Sequence, residues 1–191
     1  MTELLTSDEG LTALELARTA IEEYLGSAEV IKPEGLTPVF QNNRGVFVTL
    51  NNRSGSFKEL RGCIGRPYPV MPLGEAIVIS AINAATEDPR FMPVTLKELE
   101  NLEIEVTILT MPHRLKARPE ELPVEIEVGR HGLIVQKGPY SGLLLPQVAV
   151  ENDFDAEEFL GQTCMKAGLF PDAWCESDTE VFAFEGQIFH E

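Results

Sequence analysis

The sequence is poor in cysteine and in positive charge, and it has no apolar run long enough to cross a membrane. Its three cysteines, Cys63, Cys164 and Cys175, are far apart and odd in number. That pattern disfavours a disulfide framework and points to a reducing cytoplasm. There is no Cys-x-x-Cys, no paired histidine and no acidic calcium loop, so no metal is expected. There is no Gly-x-Gly-x-x-Gly or phosphate-loop motif either, so no nucleotide cofactor is expected, nor any other. Lysine and arginine number 15 against 31 aspartates and glutamates, a formal net charge of −16. A duplex or RNA binder shows a basic face that exchanges counterions with phosphates. Here the one basic run, His113 to Arg118, is followed at once by Glu120 and Glu121. Neither nucleic acid nor membrane is an expected partner. The polar, acidic segment from Met1 to Gly10 does not read as a secretory signal.

What is present is enough to fold. At 191 residues the chain can bury a core without disulfide or metal, as one domain or two fused lobes. Thr6 to Glu9 has the form of a capping box, and Leu11, Leu14, Ala17, Ile21 and Leu25 recur at helical spacing up to a stop at Gly26. Gly45 to Leu50 predicts a central strand, apolar on both faces, and Leu60 to Ile64 a second strand. A buried helix is predicted over about Pro72 to Glu87, ended by Pro89, and a short helical turn over Leu96 to Leu99. Alternation predicts half-buried strands at Leu102 to Ile108 and at Val124 to Val128. Gly132–Gln136 and Leu143–Leu145 read as a hairpin. Asp155 to Ala167 reads as a third helix capped by Asp153 or Asp155, and Glu180–Phe184 as a last strand. The strands cluster, so the class is α+β, with a mostly antiparallel sheet flanked by three main helices.

The most informative stretch is Leu60-Arg61-Gly62-Cys63-Ile64-Gly65, followed by Arg66. In an extended segment Arg61 and Cys63 share one face. A guanidinium beside a thiol favours the nucleophilic thiolate. Gly62 and Gly65 leave room beside the thiol for a substrate, or for amides facing an anion. The same glycines also suit a bulge or close packing, and an unpaired cysteine is often a small core residue. Arg90, in Asp88-Pro89-Arg90-Phe91, is a candidate anion binder or half of an ion pair fixing a helix end. Gln147 either ties down its loop or lines a pocket, and Glu151 is a candidate acid or base there or a solvated helix cap. His131 is the best-placed imidazole to serve Cys63 as base, with a surface turn as the alternative. Cys164 falls on the apolar face of its helix and reads as core.

The hexapeptide resembles the signature of the AMMECR-type family. Further segments fit the same pattern: Phe47-Val48-Thr49-Leu50, Asp88-Pro89-Arg90-Phe91, Leu102-Glu103-Ile104-Glu105-Val106, Gly142-Leu143-Leu144-Leu145-Pro146-Gln147-Val148-Ala149, Glu157-Glu158-Phe159-Leu160, and Cys164-Met165-Lys166-Ala167-Gly168-Leu169. Phe154 stands where the family pattern has tryptophan, which keeps an aromatic. The resemblance implies a single domain over residues 1–191 with no assigned biochemical activity. It also implies association with a Memo-like protein and a radical S-adenosylmethionine protein in a shared modification pathway. Three functional expectations follow: a Cys63-centred enzyme, a non-catalytic module docking a protein partner through the same surface, or a hexapeptide that is structural only.

Overall fold

The computed structural model describes residues 4–53 and 59–191. It is an α+β protein of two compact units, one running to Thr110 and including Gln187–Glu191, the other Met111–Gly186.

In the first unit, α1 (Ser7–Ser27) opens on the predicted capping box, with the Thr6 side chain accepting from the Glu9 N–H. Its buried face is Ala13, Leu14, Leu16, Ala17, Ala20 and Ile21; Leu11, expected there, is 58% exposed. The helix does not stop at Gly26. It runs to Ser27 and leaves through Ala28, held left-handed at φ 61°. An L-residue pays for that conformation where glycine does not. Ala28→Gly is therefore expected to raise stability by about 0.5 kcal/mol, measurable as a higher urea midpoint; a lower midpoint would contradict it.

Strands β1 (Val46–Asn52), β2 (Glu59–Arg66) and β3 (Leu102–Leu109) follow, with β1 central and both pairings antiparallel. Only one face of β1 is fully buried, that of Val46, Val48 and Leu50. These residues join Ile104 and Val106 in a core with α1 and α2 (Leu73–Thr86). The short α3 (Leu96–Leu99) forms as predicted, on a Thr95–Glu98 capping box.

In the second unit, β4 (His113–Arg114) and β5 (His131–Lys137) both pair with β7 (Glu180–His190), and β6 (Tyr140–Leu144) pairs with β5. The predicted hairpin is thus β5–β6. The strand expected over Val124 to Val128 does not form. A 3-10 turn at Pro119–Glu121 leads into a short helix, α4 (Leu122–Glu125). Leu122 and Ile126 are buried four residues apart while Val124 is 88% exposed. Helical spacing wins there, since Pro123 has no N–H to give a ladder and suits a first helical turn. Helix α5 (Pro146–Glu151) precedes α6 (Ala156–Lys166), which Asp155 caps. Strand β7 outruns its expected end at Phe184. Its last residues lie in the first unit, where the Glu191 N–H reaches Ile104 O at 3.2 Å and the Glu191 carboxylate takes Arg18 in a two-point pair.

Candidate functional site

The site is built on β2. Its register against β1 steps from Leu50–Gly62 to Asn51–Leu60, so Arg61 is an extra, bulged residue. A bulge re-aims the side chain it carries. Arg61 and Cys63 are therefore not simple same-face neighbours, as a regular strand would make them. The Arg61 side chain, 14% exposed, leaves the ladder for Glu98, with Nε 2.5 Å from Oε1, and for Met92 O at 2.9 Å. That guanidinium holds the Glu98 carboxyl below its usual range despite partial desolvation.

Cys63 is half-buried, and its sulfur accepts a hydrogen bond from the Thr49 hydroxyl, directly across on β1, at 3.3 Å. Its main chain faces outward, where no further strand lies among the described residues of the unit's sheet. The loop after α2 closes that edge. Asp88 Oδ2 accepts the Cys63 N–H at 2.8 Å, and Arg90 Nη2 donates to Cys63 O at 3.4 Å. The same carboxylate takes the Arg90 backbone N–H, Nε and Nη2 at 3.1, 2.9 and 2.7 Å. Asp88 is 4% exposed, and the Arg90 guanidinium, with these backbone bonds, keeps its carboxyl far below the ordinary range although burial opposes this. The Asp88–Arg90 ion pair named from the sequence thus forms in the loop just after α2, where it holds the Cys63 main chain, and the Arg90 side chain stays 54% exposed. Phe91 ties the two cations together, its ring centroid lying 5.8 Å from Arg61 Cζ and 5.4 Å from Arg90 Cζ.

The room expected beside the glycines is filled. A Cβ on Gly62 would sit 2.2 Å from Ala84 O, and one on Gly65 would sit 2.2 Å from the Phe47 ring. They serve close packing of β2 on α2 and on β1. Arg66, in register with Val46, falls on the helix-covered face with Ile64, opposite Cys63. Its Nε is buried with no hydrogen-bond partner among the described residues.

The other sequence candidates belong to the second unit. His131 opens β5, its Nδ1 accepting the Glu127 N–H at 3.1 Å. Gln147 and Glu151 are both exposed on α5. Cys164 is fully buried in α6, and burial pushes its thiol up to about 11. Cys175 is exposed, its thiol raised by partial desolvation and by the Asp172 and Glu157 carboxylates.

Sequence reasoning missed Thr49, Glu98 and Glu105 as site residues. Glu105 stands on β3 directly across from Thr49, so Cys63, Thr49 and Glu105 form one row over three strands, on the face away from the helices. The signal was there, as Glu103, Glu105 and Thr107 share a strand face. Alternating glutamates, however, read as an ordinary solvated face.

Comparison with known proteins shows where the chain as a whole belongs. The chain is 55% identical to a protein of Methanosarcina acetivorans over 98% of its own length and 94% of the relative's. It is 52% identical to protein PF1979 of Pyrococcus furiosus, over 93% and 86% of the two chains. The crystal structure of uncharacterized protein PH0010 from Pyrococcus horikoshii superposes with a TM-score of 0.84 at 50% identity, covering 98% of this chain and 93% of that one. The AMMECR1 family model matches residues 14–189, across both compact units. A match over that length, with the hexapeptide and its closing loop inside it, makes the chain a member of the AMMECR1 family.

Proposed function

We propose that the protein is a Cys63-centred enzyme acting on a substrate that carries an anion. Its place would be a modification pathway shared with a Memo-like and a radical S-adenosylmethionine protein. The observation that supports this reading is a half-buried sulfur bonded by the Thr49 hydroxyl, on a main chain pinned by Asp88 and Arg90. Pinning both peptide groups fixes the nucleophile before substrate arrives, which lowers the entropic part of a barrier. The thiol proton leaves to solvent. A sulfur lone pair then forms the new S–C bond with a carbonyl carbon, and the π pair moves onto the oxygen beside the exposed Arg90 guanidinium. Arg61 is a positioning residue, because its side chain is largely buried with Nε and Nη2 donating to Glu98 and Met92, whereas that of Arg90 is exposed. His131 is not needed in this scheme.

Alkylation of the native protein with iodoacetamide near neutral pH tests it, read peptide by peptide by mass spectrometry. The expected order of rates is Cys63, then Cys175, then Cys164, because a guanidinium flanks the first, carboxylates the second and core the third. Labelling of Cys63 only in denaturant would leave the hexapeptide a structural role. A folded Cys63→Ser protein should fail to rescue a deletion strain, whereas a docking module would keep its function.

A further inference from the structure

The row Cys63–Thr49–Glu105 carries information beyond the thiol itself. Glu105 is half-buried and has no hydrogen-bond or ion-pair partner among the described residues. Other partly buried carboxylates of the same unit are neutralised: Asp88 by Arg90, Glu98 by Arg61, Glu191 by Arg18. Removing a carboxylate partly from water without a cation costs energy unless something returns it. The side chain also has company of the right kind. It faces the same way as the thiol, because the register is unbroken from Gly62 to Arg66 on β2 and along β1 to β3. Helices α1 and α2 pack on the opposite face, that of Val48, Ile104 and Val106.

The charges along this line are ordered. Arg90 sits at the outer edge of β2 with its guanidinium 3.4 Å from Cys63 O; then come the thiol, the Thr49 hydroxyl and, two strand spacings inward, Glu105. Two spacings are about 10 Å. A molecule lying across the strands would meet a cation at one end, a nucleophile beside it and a carboxylate at the other end.

We infer that Glu105 is a specificity-determining residue of the Cys63 site, seating an ammonium group of the substrate. The substrate class is then a zwitterion, with its anionic group and the carbon to be attacked at the Arg90 end and a primary ammonium about 10 Å away. This rests on the reading of Cys63 as a reactive thiol.

Three methanethiosulfonate reagents test it on the intact protein: the cationic 2-aminoethyl, the anionic 2-sulfonatoethyl and the neutral methyl forms. In each, the thiolate forms a disulfide with the reagent sulfur and methanesulfinate departs with the bonding pair. The measurement is the rate at which the Cys63 peptide is modified, as the ratio of cationic to neutral reagent. Glu105→Gln keeps the shape and removes the charge. It should lower that ratio about five-fold at low salt, as expected for one nearby charge in a partly solvated setting. Glu105→Asp should restore most of the ratio, and about 1 M salt should abolish the difference between wild type and Gln variant. An unchanged ratio in the Gln variant, or an equal slowing with all three reagents, overturns the assignment of Glu105 while leaving a reactive Cys63 standing. Failure of the wild-type Cys63 to react with any reagent overturns both readings.

Discussion

Asp88→Ala is expected to lower the free energy of unfolding by about 3 kcal/mol at neutral pH. The change leaves the Cys63 N–H facing a gap and removes the acceptor of three Arg90 donors. The Arg90 guanidinium is 54% exposed and turns to water, so the loss is mostly that of buried hydrogen bonds rather than of Coulomb attraction. The effect also has a pH signature. The folded-state carboxyl titrates well below its unfolded value because Arg90 and the backbone amides stabilise the charged form. Its contribution is therefore fully present above about pH 4, the unfolded value, and is lost as pH falls towards the lowered folded value. Wild type and the isosteric Asp88→Asn protein should differ by the same amount in urea midpoint at about pH 7 and pH 5, and by less at about pH 3. A gap that stays constant into acid would mean that the carboxylate charge does not hold this edge. Because the same residue pins Cys63, Asp88→Asn should also change the alkylation rate of Cys63 and leave that of Cys175 alone.

Gly62→Ala should cost about 3 kcal/mol, a large penalty for one methyl group. The obstacle is backbone: the new Cβ would lie 2.2 Å from Ala84 O and 3.2 Å from Ala84 C, in the last turn of α2. Neither can give without separating strand from helix. Gly65→Ala is the control. Its Cβ would meet the Phe47 ring at 2.2 Å, but Phe47 is only half-buried and can swing outward, so about 1 kcal/mol is expected. Urea unfolding of both proteins decides the matter. The account fails if Gly65→Ala proves the more damaging, or if Gly62→Ala unfolds at the wild-type midpoint.

Much of the fold can be read from local pattern. The capping box at Thr6 marks where α1 begins, because it supplies partners for otherwise unpaired amides, and Asp155, one of two candidates, opens α6. The alternation from Leu102 to Ile108 marks β3. The failures have identifiable causes. Val124 to Val128 alternates like a strand, yet Pro119 and Pro123 start helical turns and Leu122 pairs with Ile126 at helical spacing. Strand β7 continues past Gly186 because its end pairs with β3, a partner some eighty positions earlier that local pattern cannot announce. The site divides in the same way. Cys63, Arg61 and Arg90 stand out by residue type and spacing. The bulge that turns Arg61 towards Glu98, and the register that lines Thr49 and Glu105 up with the thiol, depend on strand pairing. So does the filling of the space beside Gly62, which takes an α2 carbonyl to explain.

The course of β7 sets a limit on dissection. The first unit is not one continuous piece of chain, since it includes Gln187–Glu191, which follow the second unit in sequence. A fragment cut after Thr110 would lose the Glu191 amide from Ile104 and the carboxylate from Arg18 and Arg53. It would also lose the Phe189 ring from against Gly10. What is left is a bare sheet margin with unsatisfied hydrogen-bonding groups, the kind of template on which chains stack into insoluble material. A soluble version of that fragment would need the five C-terminal residues grafted back through a short linker.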